Sequence, residues 1–138
     1  MHKKKFNNND QVKFSKLSGD LNPIHLDQSY AANTLFQKIV VHGLNIVIWS
    51  LEKVISSNIK NIIRIKINFL KIVYLNEEIF LNVIKKNKNE IQIIIKSKIE
   101  KKVIIETFIS NKKVLFKKNI HNLNYNKKII LKRKILKR

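Results

Sequence analysis

The sequence predicts an α+β fold in which an antiparallel sheet curls around one long helix. Three observations carry this reading. Residues 43–57, GLNIVIWSLEKVISS, place apolar side chains at helical spacing over most of the helix circumference. After residue 59 the chain changes to partly alternating runs rich in β-branched residues. Short polar breaks (YLNE, NKN and EKK) separate those runs, as in an antiparallel meander, and NKN suits a tight hairpin.

The elements follow in order. Only HKKKF precedes the first helix, which leaves room for a short strand. Residues 8–17, NNDQVKFSKL, read as a short helix. Asn8 or Asn9 caps it, Asp10 sits in its first turn, and Val12, Phe14 and Leu17 supply apolar contacts. Ser18-Gly19-Asp20 stops that helix and Asn22-Pro23 forces a turn. A second short helical piece falls at 28–36, with Asp27 as its cap. In the long helix Leu44, Val47, Ile48, Leu51, Val54 and Ile55 share a face that Ile46 and Trp49 widen. So apolar a helix is expected to be wrapped by other structure. Strands are expected at 61–70, 78–86, 90–99 and 102–110, with a last one at 112–117. This is the hotdog architecture; on pattern alone a generic α+β sandwich stays open.

At 138 residues the chain fits one domain, assigned to 1–116, followed by a basic tail at 117–138. Ile, Asn and Lys supply about half of the residues, the bias of a very AT-rich genome. The formal net charge is +20; the tail carries nine Lys/Arg and no acid, leaving +11 on the body. That body attracts anionic ligands such as phosphates or an acidic carrier protein. Nucleic acid is a disfavoured partner, because no recognised module and no aromatic-studded basic stripe is present. The tail reads either as a docking arm for an acidic partner or membrane surface, or as a frayed terminus, and the second reading is preferred. With no cysteine, disulfides, thiolate nucleophiles and Cys-based metal sites are excluded. No run of 18 apolar residues predicts a transmembrane helix, and MHKKKFNNND lacks the apolar stretch of a signal peptide, so a cytoplasmic location is expected.

One stretch stands apart. Residues 17–43, LSGDLNPIHLDQSYAANTLFQKIVVHG, hold both glycines, the only proline and two of the four histidines. Leu17-Ser18-Gly19-Asp20, Asn22-Pro23, His25, Asp27, Ala31, Phe36 and Val41-His42-Gly43 together resemble the MaoC-like, (R)-specific enoyl-CoA hydratases, a hotdog family. The resemblance extends from Phe6 to about Phe116, with its specificity in the first third. It implies reversible hydration of a trans-2-enoyl thioester, or dehydration of the (R)-3-hydroxyacyl thioester, with Asp20 and His25 gripping the reacting water. It implies no metal or resident cofactor; coenzyme A or phosphopantetheine belongs to the substrate. It further implies a homodimer, with acyl carrier protein as a second candidate carrier.

Such chemistry needs a base for water, a proton for C2 and a donor to the thioester oxygen. An Asn-Pro turn between Asp20 and His25 can bring their side chains together. Gly43 begins the long helix, where an unpaired first-turn N–H suits an oxyanion and a missing side chain permits close approach. Asn22 and Pro23 are read as loop support. Tyr30 and Phe36 either wall the acyl pocket or fill core, and His42 is read as positioning the start of the helix. No set of His and carboxylates has metal-ligand spacing in the sequence. The chain departs from the family at several points. Asn45 and Trp49 are polar or bulky in the helix, and Trp49 either favours short acyl chains, if it lies near the pocket, or faces away from it. Ile72 stands where a Pro is expected, and the usual Gly near Leu75-Asn76 is absent. The competing reading is a non-catalytic hotdog module that binds an acyl thioester or an acidic protein.

Overall fold

The chain runs β1 (His2–Lys5), α1 (Asn8–Ser18), a single 3-10 turn (Pro23–His25), α2 (Gln28–Ala32), α3 (Gly43–Ile55), β2 (Ile62–Phe69), β3 (Glu78–Asn87), β4 (Glu90–Lys96) and β5 (Lys101–Ile109). The computed structural model describes residues 2–55 and 62–109, and the strand expected at 112–117 and the basic tail lie outside them. All five strands pair antiparallel in one sheet, in the order β1-β3-β4-β5-β2. With α3 against it, this is the expected α+β hotdog.

Alternation explains how the sheet holds the helix. Ile91, Ile93 and Ile95 of β4, with Val103, Ile105 and Thr107 of β5, are buried at every second position. The aliphatic ones join Ile79 and Leu81 of β3 and Ile46, Val47, Trp49 and Val54 of α3 in one core. Each such aliphatic side chain contributes roughly 1.5–3 kcal/mol when fully buried. One row crosses the whole sheet, pairing His2 with Leu81, Leu81 with Ile95, Ile95 with Val103 and Val103 with Phe69. Its last member reaches the start of α3, so sheet register fixes one wall of the site. In the β3–β4 hairpin Asn87 pairs with Glu90 across Lys88-Asn89, and the Asn87 side chain accepts the Asn89 N–H at 2.8 Å.

Several local expectations are corrected. The cap of α1 is Asn7, not Asn8 or Asn9; it accepts the Asp10 N–H while Asp10 accepts the Asn7 N–H, closing a capping box. The buried face of α1 is Gln11, Phe14 and Ser15, whereas Val12 and Leu17 are exposed. On α3, Leu44 and Ile48 are exposed and the inward stripe runs through Ile46, Val47, Ser50 and Val54. β4 ends at Lys96 rather than residue 99, because the Ser97 hydroxyl accepts the N–H groups of Ile99 and Glu100 and turns the chain. Trp49 packs edge-on against Phe6 with centroids 6.1 Å apart, away from the cavity described below, so it sets no acyl length there. The missing turn glycine is replaced in kind: Asn76 takes φ +62°, a conformation Asn tolerates better than most residues.

Candidate active site

The loop after α1 is built by a run of short side-chain bonds. Gly19 ends the helix at φ +81°, with its N–H on the Ser15 carbonyl at 2.8 Å. Ser18 Oγ then accepts the Asp20 N–H, Asp20 Oδ1 the Asn22 N–H, and Asn22 Oδ1 the Ile24 N–H, at 3.1, 3.2 and 3.1 Å. Pro23 starts the 3-10 turn that carries His25, whose N–H bonds the Asn22 carbonyl. Asp27 caps α2, as its position suggested, accepting from Ser29 and Tyr30. Asp20 is thus a turn residue and a site residue together: Oδ1 closes the turn while Oδ2 faces two imidazoles.

Those imidazoles belong to His25 and His42. Asp20 Oδ2 lies 3.8 Å from His25 Nε2 and 3.9 Å from His42 Nε2. The two rings stack with centroids 3.9 Å apart and planes 28° from parallel. His25 Nδ1 sits 2.7 Å from the Val40 carbonyl oxygen, which can only accept, so Nδ1 carries a proton and Nε2 is the nitrogen turned to Asp20, free to accept when the ring holds one proton. His42 is almost fully buried, its Nε2 3.3 Å from both the Asp20 carbonyl and Ser15 Oγ. Burial first, and next the neighbouring His25, push the His42 pKa below the ordinary histidine value, against the opposing pull of Asp20. Its backbone also starts α3, accepting the N–H groups of Asn45 and Ile46.

Below His25 opens a cavity of about 270 Å³, walled by Val41, Ile46, Phe69, Ile72, Val73 and Val103, with Lys71 also on its lining. Gly43 lines it, and no acceptor among the described residues meets its N–H. A Cβ built there would lie 2.8 Å from Phe69 Cε1, so the aromatic ring already occupies the space a side chain would need. Lys102 ties down the wall segment from behind: its Nζ reaches Glu77, Glu100 and the Ile72 carbonyl at 2.9, 3.0 and 2.8 Å. The Leu70 and Lys71 N–H groups bond the Lys102 carbonyl. These bonds supply the rigidity expected of the absent proline.

The other sequence-chosen residues separate by role. Asn22 and Pro23 hold the loop as expected. Tyr30 and Phe36 line neither this cavity nor the buried core; with Asn22, Ile24, Thr34 and Leu35 they border a second, more open hollow. Two residues were missed. Gln11 is buried and donates Nε2 to the carbonyls of His25 and Val40 at 3.3 and 3.0 Å, so it fixes the carbonyl that sets the His25 tautomer. Ser15, one turn later, meets His42. Their only sequence signal was four-residue spacing on one helix face, which apolar patterning overlooks.

The fold also gathers a donor set that sequence spacing did not suggest. One atom each from Asp20, His25 and His42 lie within 4.8 Å of one another. A metal would need a bare His42 Nε2, but that nitrogen faces the Asp20 carbonyl oxygen as a donor, and moving its proton would leave a buried Nδ1–H with no acceptor. The hydrogen bonding suits a water between Asp20 and His25 better than an ion.

A half-exposed carboxylate beside two stacked histidines, at the start of a helix cradled by an antiparallel sheet, defines a hotdog domain with an acid–imidazole site. The chain belongs to the MaoC-like domain family, which matches residues 2–107. It is 44% identical over 41 residues to an (R)-specific enoyl-CoA hydratase of Aeromonas caviae, and 45% identical over 42 residues to a 3-hydroxybutyryl-CoA dehydratase of Methylorubrum extorquens. Each match takes in 30% of this chain, and they span 31% and 27% of those relatives. Among solved structures it is similar to the unliganded R-hydratase of Pseudomonas aeruginosa, with TM-score 0.70 and 21% identity over 78% of this chain and 76% of that one. The (R)-hydratase of A. caviae gives TM-score 0.65 and 21% identity over 77% and 88%. Among the described residues no helix is long and apolar enough to cross a membrane.

Proposed function

We propose that this protein hydrates trans-2-enoyl thioesters reversibly, or dehydrates (R)-3-hydroxyacyl thioesters. The observation that carries the reading is the pairing of two acceptors, Asp20 Oδ2 and His25 Nε2, 3.8 Å apart above an apolar cavity. That gap is too long for a direct hydrogen bond and fits one water about 2.8 Å from each atom. The water donates one O–H hydrogen bond to each acceptor, which leaves its oxygen lone pairs free to attack C3. As the C3–O bond forms, the water proton passes to His25 Nε2, and electrons of the C2=C3 bond move through C1 onto the thioester oxygen. The Gly43 N–H at the positive end of α3 stabilises that oxygen. The imidazolium, held by Val40 through Nδ1 and by the Asp20 carboxylate, returns the proton to C2. One water is added and both side chains end as they began. The reverse sequence eliminates water, and neither direction needs a metal or resident cofactor.

Coenzyme A and acyl carrier protein both present phosphopantetheine, and the positive body suits either. The test is loss of the enoyl-thioester absorbance of crotonyl-CoA with purified protein, with chiral analysis of the product. Formation of (R)-3-hydroxybutyryl-CoA supports the reading; (S)-product or no turnover on any enoyl thioester refutes it.

A further inference from the structure

The mechanism above leaves the buried histidine beside the Asp20–His25 pair unused. We propose that His42 is a positioning residue of the Asp20–His25 pair: its Nε2–H holds the Asp20 main chain, and its ring backs the ring of His25. The inference rests on the hydratase reading for its kinetic consequences, but its geometry stands apart from it.

Besides the Asp20 carboxylate 3.9 Å from Nε2, four contacts converge on this ring. Nε2 lies 3.3 Å from the Asp20 carbonyl oxygen and 3.3 Å from Ser15 Oγ. The Phe14 ring packs on it at 4.9 Å, and the His25 ring stacks at 3.9 Å. Asp20 follows a glycine and is half exposed, so its loop has little packing to hold it. A buried donor on its carbonyl supplies the missing anchor from the residue just before α3, the helix that begins at Gly43. One residue thereby links the water-holding carboxylate, the imidazole beside it and the oxyanion donor next in sequence.

His42 is poorly placed to carry protons itself. Among the described residues the titratable groups facing it are Asp20 from the loop and His25 from the 3-10 turn; α1 faces it with Ser15 and Phe14, which are uncharged. A second positive ring stacked on His25 would oppose the charge that turnover places there. Its Nδ1 is buried without a partner, tolerable for a bare lone pair and costly for an N–H. The ring therefore stays in the Nε2–H form while His25 does the exchange.

The experiment uses the full chain, as wild type, His42→Gln and His42→Phe. Gln can place an amide N–H near Nε2; Phe keeps the ring face and loses the donor. The expected result is that His42→Gln retains most of the wild-type kcat with the same inflections in its pH profile. His42→Phe should lose on the order of 10²-fold in kcat, the scale of a misplaced reacting group, with little change in KM. Nitrogen NMR of the histidine rings gives a reading that needs no turnover: His42 should show the neutral Nε2–H tautomer at pH 7. The proposal is overturned if His42→Phe keeps wild-type kcat, or if His42→Gln is as damaged as His42→Phe. It is also overturned if wild-type His42 is an imidazolium or Nδ1–H tautomer at pH 7, a result that stands even if a variant fails to fold. Absence of hydratase activity together with the expected tautomer would reject the proposed reaction and leave the structural placement intact.

Discussion

Gly43 shows how one missing atom defines a site. Its place at the start of α3 offers an N–H, and its bare Cα admits the Phe69 ring that walls the cavity. Gly43→Ala should lower kcat/KM by about 10-fold or more while shifting the melting temperature little, because Ala suits a helix and the ring can move. Steady-state kinetics beside a thermal melt checks this; an unchanged kcat/KM would remove Gly43 from the site. His42 has a separate signature in stability. Its folded pKa is lowered, so below about pH 6.5 the unfolded chain binds a proton that the folded chain refuses. The His42 contribution is present above that pH and is lost as pH falls towards the folded value. The urea midpoint of the wild type should drop more between pH 7.5 and 5.5 than that of His42→Gln.

Helix α1 is where sequence reasoning and structure diverge most usefully. Its ends were legible because caps are local chemistry, although the capping residue is Asn7 and not one of the two asparagines after it. Its buried face was not, because Val12 and Leu17 look more core-like than Gln11 and Ser15. The reversal follows from what the helix covers: the Asp20–His25 loop and the Val40 carbonyl, whose buried polar groups require partners. Gln11→Leu should cost roughly 1–3 kcal/mol through unpaired carbonyls and depress kcat more than it raises KM. Denaturant titration beside kinetics tests both parts. In β3 to β5 the reading succeeded to within a few residues, since alternation with one buried face leaves one register open. On α3 the helix itself was plain, but so many positions are apolar that the inward stripe could not be chosen from spacing. For the candidate site, Asp20, His25 and Gly43 were chosen through the motif they share, and the structure brings Asp20 Oδ2 to 3.8 Å from His25 Nε2 with Gly43 on the cavity beside His25. The stacking of His42 on His25 was not legible in that motif, because it depends on how a loop and a helix meet across seventeen residues.

The exposed parts of that apolar helix bear on assembly. Leu44 and Ile48 of α3 and Val12 and Leu17 of α1 remain open to solvent, and Phe14, Leu17, Asn45 and Ile48 share one groove. β2 ends the sheet with Ile63 and Ile65 exposed, an edge that soluble proteins normally cover. We propose a homodimer that buries this surface. Sedimentation should give about twice the 16.3 kDa chain mass at micromolar concentration, and Ile48→Asp should shift it to the single mass. A wild-type monomer would contradict this.

The most direct test of the account compares Asp20→Asn with wild type for turnover and for substrate binding. Asparagine keeps the turn-forming Oδ1 and removes the carboxylate charge to which the proposed mechanism gives the water and the imidazolium. The expected result is a fall in crotonyl-CoA hydration of roughly 10²-fold or more with thioester affinity nearly unchanged. Full activity in Asp20→Asn, or wild-type binding without turnover in either protein, would contradict the acid–imidazole mechanism and favour a module that binds the thioester without transforming it.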